Sequence, residues 1–314
     1  MKWRNLYIKL VQWAIVVLAY AYLIYRLVSF DNYETLLYHF NNVGIQQWGY
    51  LLLAFLLFPL NICAEAWKWQ YLLKDIEPMS YHEAIRQTYF GFVAAFLTPA
   101  RLGDYPARVS MLKNKQNWIT AIAMGFVGTL ALAFVQVAAG LPSSLFLFSN
   151  ILNNAAYKTT IIIIGVATII LLVFLIVFYR KIALLLLPYS LKNEKIALTL
   201  RTLSTFSHKR FITTCFMSII RYIIYCAQLY FVLVFCGVNF TFFQTVIAIP
   251  TYYLLVTITP SVPIADVAIR GGWSMVVFGV FTENIAGVAL AAVLLWVLNS
   301  ILPMLVGSVV KKQE

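Results

Sequence analysis

Charge is what this sequence has least of. Of its 314 residues 11% are charged, against 62% hydrophobic, and the mean hydropathy is +0.85. That deficit excludes a water-soluble globular domain. Acids are the scarcer sign: 11 Asp and Glu face 23 Lys and Arg, for a net charge of +12. In a soluble protein such an excess suggests nucleic acid. Here the cations fall between apolar runs, where they set orientation and touch anionic lipid, so nucleic acid is not an expected partner. Cysteine is equally sparse. Cys63, Cys215, Cys226 and Cys236 sit in apolar segments without metal-ligand spacing, so they read as packing residues, and no disulfide framework follows from them. The histidines, His39, His82 and His208, are isolated near the ends of apolar runs and read as interfacial. No G-x-x-x-x-G-K-[ST] loop is present, and no His, Cys or carboxylate cluster has catalytic or metal spacing. Neither an enzyme nor a cofactor is expected.

What is there is apolar length. Runs long enough to cross about 30 Å of hydrocarbon, roughly 20 residues each, lie near 9–28, 46–66, 118–140, 158–179, 212–236 and 285–309. The first follows a basic start, is longer than a signal-peptide core and lacks a small-residue cleavage site, so it reads as a retained span. The expected fold is an all-α polytopic membrane bundle, one transmembrane domain over 1–314. With the N-terminus in the cytoplasm, Lys68, Arg86, Lys113, Arg180 and Arg210 lie inside, and Arg26 and Lys158 are left outside. That bias predicts both termini cytoplasmic, in a bacterial inner membrane. The outer loops then carry Asp31, Glu34, Pro142-Ser143-Ser144 and Asn153-Asn154. The connection 180–211 mixes Ile196, Leu198, Leu203 and Phe206 with Lys195, Arg201, Lys209 and Arg210, and reads either as an interfacial amphipathic helix or as a basic loop.

Two further apolar regions, 81–113 and 240–282, are interrupted by Pro, Gly and charge. The first opens on a capping box, Ser80 with Glu83, and predicts a helix over about 81–97, a break at Thr98-Pro99 and a second helix over about 103–113. Neither half is long enough to span, so each region is expected as a re-entrant broken-helix hairpin. The second region echoes the first: Gln87-Thr88, Thr98-Pro99, Asp104 and Arg108 against Gln244-Thr245, Thr259-Pro260, Asp266 and Arg270, with the breaks 161 residues apart. Three crossings separate the copies, and an odd number makes the repeat inverted.

Charge at bilayer depth is costly and marks function by default. Thr98, Pro99, Arg101, Asp104, Arg108, Thr259, Pro260, Asp266 and Arg270 are the candidate binding residues. The arginines offer bidentate donors suited to phosphate. The helices restarting after Pro99 and Pro260 offer N–H groups and a favourable dipole. Asp104 with Arg108, and Asp266 with Arg270, are four apart and can neutralise each other, or the acids can pair with a cationic part of a ligand. Glu65, Arg221, Tyr252 and Tyr253 are candidates for a second ring around the site. Glu65 also reads as a salt bridge to Lys68 snorkelling at the interface, and Arg221 as snorkelling. Trp67, Trp69 and the two tyrosines also read as belt residues.

The run from Ala64 to Lys113 resembles the transmembrane region of lysylphosphatidylglycerol synthases and the stand-alone flippase-like membrane proteins of that family. The similar elements are Trp69 followed by Leu72-Leu73, the helix start at Ser80, and the core Pro99, Arg101, Gly103, Asp104 and Arg108. Thr259-Pro260 through Asp266 to Arg270-Gly271-Gly272 resembles the family's later proline loop. Ala100 stands where the family often has Gly, and Asp104 where Glu is common. The resemblance covers about 44–310 and implies a membrane phospholipid or another lipid-linked substrate as partner. The tail ends in Lys311-Lys312-Gln313-Glu314 and leaves no room for the family's soluble aminoacyl-transferase domain, so lipid movement without the synthase chemistry is the expectation. A carrier of a small anionic solute and an enzyme acting on a lipid-linked substrate are the alternatives.

Overall fold

The computed structural model describes residues 44–98, 101–151, 180–188, 204–259 and 263–309, with scattered helical positions between 159 and 201. All regular structure among them is helical. Helix α1 (Ile45–Leu73) leads into α2 (Tyr81–Leu97), a short α3 (Asp104–Val109) and a long α4 (Trp118–Ile151). Then come α5 (His208–Phe235), α6 (Phe242–Ile258), α7 (Pro263–Phe278), α8 (Ile285–Trp296), a π-helical turn (Val297–Ile301) and α9 (Leu302–Val309). Four stretches are long and apolar enough to cross a membrane: Ile45–Leu73, Lys115–Ser149, His208–Phe235 and Ile285–Val309. They correspond to four of the six expected spans. The span at 9–28 lies outside the described residues, and that at 158–179 lies largely outside them. The chain is a polytopic helical membrane protein.

Two expected boundaries move. The apolar run of α1 continues seven residues past 66, because Trp67, Lys68, Trp69, Leu72 and Leu73 keep helical register, and all of these but Trp67 are buried. Pro142-Ser143-Ser144, expected in an outer loop, lies inside α4. There the serine hydroxyls close back on the helix, Ser143 donating to the Ala139 carbonyl at 3.0 Å and Ser144 to that of Leu141 at 2.9 Å. Such back-bonding satisfies the serine hydroxyls within the helix, so that they need no water there.

The two interrupted regions are built alike. α2 and α6 are each 17 residues long. Each opens on a capping box, in which Ser80 and Glu83, or Thr241 and Gln244, satisfy each other's backbone N–H groups. Each closes on an extended threonine, Thr98 or Thr259, whose hydroxyl donates 2.7 Å to the carbonyl four residues back. The structural register pairs Gln244 with Glu83, not with Gln87. Gln87-Thr88 and Gln244-Thr245 are therefore not equivalent: Gln87 accepts the Trp69 indole N–H at 2.7 Å inside the bundle, whereas Gln244 caps a helix at its entry. The halves after the breaks differ in length. α7 has 16 residues, but α3 has six in place of the eleven expected, because the chain turns at Ser110 and Met111.

Helix α1 packs along α5, α6 along α4, α7 along α8, and α9 along α2. One apolar core gathers Leu229, Val232, Ile249, Tyr252, Phe278 and Leu295 from α5 to α8. A second gathers Trp69, Leu72, Val109, Met124 and Phe206 around the first break. Phe206 belongs to the basic connection, which is thus anchored in the bundle; next to it Arg210 is paired with Asp75. Ser80→Ala and Thr241→Ala should each cost about 1 kcal/mol by removing an N-cap acceptor. The check is the unfolding midpoint in detergent, where unchanged midpoints would mean the caps contribute nothing.

Candidate functional site

Polar residues on α1 recur at Asn61, Glu65 and Lys68, a spacing that places them on one helical face. That face is turned inward: all three are 2% exposed. The Glu65 carboxylate receives Lys68 at 2.8 Å, Arg108 of α3 at 3.1 Å, and Arg221 of α5. Arg108 in turn grips Asp104 with two parallel bonds, Nε to Oδ1 at 2.6 Å and Nη2 to Oδ2 at 3.0 Å. Its guanidinium lies over the rings of Trp69 and Tyr105. Glu65 and Lys68 do not snorkel, because the helix continues past them and α3 and α5 cover that end. Trp69 is likewise a buried residue and not part of a belt.

From Arg221 a line of hydrogen bonds runs through the bundle. Arg221 Nε donates to Asn61 at 2.9 Å, Asn61 to Asn299 at 2.9 Å, Asn299 to Gln228 at 2.7 Å, and Gln228 to the Ala54 carbonyl at 3.0 Å. Asn299 sits in the π-helical turn, which shifts the helical register and delivers its amide to this line. Arg221 also donates to the Tyr225 hydroxyl at 2.9 Å, and the Tyr253 hydroxyl to the Tyr225 carbonyl at 2.8 Å.

Beside this network lies a cavity of about 420 Å³. Thr98, Arg101 and Asp104 reach it from the first break, Thr259, Asp266 and Arg270 from the second. Glu65, Lys68, Arg221 and Tyr253 add to its wall, with the neutral polar groups of Thr129, Gln136, Tyr225 and Asn299. The structure thus brings both motifs to one chamber. Pro99 and Pro260 lie outside the described residues.

The motif side chains are not equivalent within it. Arg101 is exposed, with its guanidinium 5.1 Å above the Phe92 ring. Arg270 is bound to Asp266 at 3.0 Å and stays partly open. Arg108 is 1% exposed and stands behind the wall, with its charge spent on Asp104 and Glu65. The threonine hydroxyls hold the breaks: Thr98 accepts the Gly103 N–H at 2.8 Å and Thr259 accepts the Trp273 indole at 3.0 Å. Tyr252, expected to line the cavity with Tyr253, is packed on Phe278 in the core, since neighbours on a helix point about 100° apart. The anion site expected at the restarted helices is weakened too. α3 is little more than a turn, and Asp104 and Asp266 already occupy the first turns of α3 and α7.

The profile of the family described as Lysylphosphatidylglycerol synthase TM region matches residues 10–307. The chain belongs to that family. A comparison with curated proteins finds no match.

Within this member of the family, sequence reasoning missed Lys68, Asn299, Gln228, Tyr225 and Gln136 as parts of the site or its support. Two signals pointed to some of them: the repeat of polar residues along α1, and Arg221, Tyr225 and Gln228 at helical spacing on α5. Asn299 had no periodic signal, since the π-helical turn breaks the period.

Close backbone approach is what lets the ion pairs sit against α2. A Cβ at Gly91 would lie 2.3 Å from Asp104 Oδ1 and 2.7 Å from Arg108 Cγ. Gly91→Ala should therefore destabilise the fold by about 1–3 kcal/mol through overpacking. Glu65→Ala, which leaves three cations without their shared anion, should cost about 3–5 kcal/mol. Adding Lys68→Met to it should recover part of the loss. Unfolding midpoints and monodisperse yield in detergent measure both, and a Glu65→Ala protein as stable as the wild type would contradict the hub assignment.

Proposed function

We propose that this protein is a flippase-like carrier that binds the head group of a phospholipid, or of another lipid-linked anion, in the cavity between its two broken helices and moves it across the bilayer. The observation that carries the reading is that one chamber receives Arg101 from the first break and Arg270 from the second, with Arg221 also in its wall. Arginine forks suit phosphate oxygens. A chamber of about 420 Å³ is of ligand-binding size.

Lipid is favoured over a free solute by the rim. Leu102 and Phe126 line the cavity and are also 62% and 48% exposed, so its apolar edge is continuous with the outer surface of the bundle. A head group can then enter while its tails remain outside. The matched construction of 81–97 and 242–258 supports an inverted repeat of re-entrant hairpins, and the basic bias of the loops supports cytoplasmic termini in a bacterial inner membrane. In this reading the two breaks are gates that open in turn to either leaflet around a fixed site.

Reconstitution into liposomes with tail-labelled phospholipid tests the proposal by following label exchange between leaflets. Arg101→Ala and Arg270→Ala should each lose charge-assisted hydrogen bonds worth about 2 kcal/mol, on the order of thirtyfold in affinity. If folded wild type moves or binds no lipid, or neither substitution alters binding or movement, the cleft assignment fails. Uptake of a water-soluble organic anion in its place would favour the solute carrier.

A further inference from the structure

The charges around the cavity do not balance. Lys68, Arg101, Arg108, Arg221 and Arg270 stand in or directly behind its wall, against Glu65, Asp104 and Asp266. Asp266 is matched by Arg270 and Asp104 by Arg108, while Glu65 is shared among Lys68, Arg108 and Arg221. Among the described residues the chamber therefore carries an excess of two positive charges, in surroundings that screen charge poorly. No carboxylate in it is left facing a ligand without a cation already at hand, so an incoming ammonium meets neutral oxygens and rings, such as those of Thr129, Gln136 and Tyr225, but no free anion.

Arg101 sets the two halves apart. It is the one non-glycine among the described residues with a positive φ, at 57°. A bulky residue held in that region is an outlier that concentrates at ligand clamps. It makes no ion pair among the described residues and faces the cavity. The second break, Thr259 to Asp266, carries no cation at all. One of the two surplus charges thus enters from the first break, on a strained backbone, and the other lies among the cations that share Glu65.

We infer that the cavity selects a head group of net negative charge, a phosphodiester without a compensating ammonium, and that Arg101 is the specificity-determining residue. This rests on the reading of the cavity as a head-group site. Zwitterionic and cationic lipids share the phosphate but bring an ammonium into a chamber already in positive excess. The phosphate of an anionic lipid supplies the missing counter-charge, with Arg101 at the open side and Arg221 behind.

The test is leaflet exchange in proteoliposomes holding trace tail-labelled phosphatidylglycerol, phosphatidylethanolamine or lysylphosphatidylglycerol, whose head groups carry one net negative charge, none, and one net positive charge. Wild type should move phosphatidylglycerol at least roughly tenfold faster than either of the others, the effect of one well-placed charge interaction. Arg101→Gln should collapse that preference, and Arg101→Lys should keep most of it. Equal movement of all three lipids, a preference for an ammonium-bearing lipid, or an undiminished preference in folded Arg101→Gln would overturn the charge selection while leaving lipid handling intact. No movement of any lipid by folded wild type would remove the head-group reading itself and this inference with it. The wild-type series needs no variant to fold.

Discussion

The carboxylate of Glu65 is the constraint on which the described bundle depends. A lone buried carboxylate is untenable, as are lone buried cations, so Lys68 and Arg221 are tolerable only with Glu65 in place, and Arg108 divides its charge between Glu65 and Asp104. That mutual need fixes α1 against α5 and holds the short α3 against both, though six residues of helix could not hold a position alone. Arg108 extends the arrangement to Asp104, and the hydrogen-bond line from Arg221 extends it to Asn299 and Gln228. The wall of the cavity is the far side of this network. Polar groups that would be a liability in lipid are thus turned into a rigid support, with every main member supplied with partners.

Rigidity on one side sets off what is left loose on the other. The inner network spends the charges of Arg108 and Lys68, whereas Arg101 and Arg270 keep surface open to the chamber. The threonines at the breaks do the same work twice, each hydroxyl donating to a carbonyl at the helix end and accepting one N–H. An interrupted helix is costly in a bilayer unless its freed backbone groups are satisfied or wet. Here side chains satisfy them on one face, and the cavity adjoins the other.

Much of this was legible in the residues. Apolar length gave the four spans the structure describes, and the capping signal at Ser80 gave the start of the first broken helix, whereas the matching cap at Thr241 emerged only from the structure. The Asp104-Arg108 and Asp266-Arg270 pairs followed from four-residue spacing and are formed. The failures share one cause, which is that local pattern does not say what covers a residue. Glu65 and Lys68 look interfacial when a span is measured from its apolar run alone, and only the packing of α3 and α5 over them makes them buried. Gln87-Thr88 matched Gln244-Thr245 as letters, but the register of the two helices separates them.

Composition and periodicity by themselves determined that the chain is a helical membrane protein with two interrupted regions bearing paired charges, because hydrocarbon thickness and helical geometry act on each segment alone. Which of those charges support the fold and which face a ligand was decided only by the tertiary structure. Arg101 and Arg108 lie seven residues apart in one motif and are chemically identical. One points into an open chamber and the other into Glu65, a carboxylate 43 residues away in sequence. Four-residue spacing showed that Arg108 could pair with Asp104, but no local signal showed that Glu65 would cover it, since that partner comes from a distant helix.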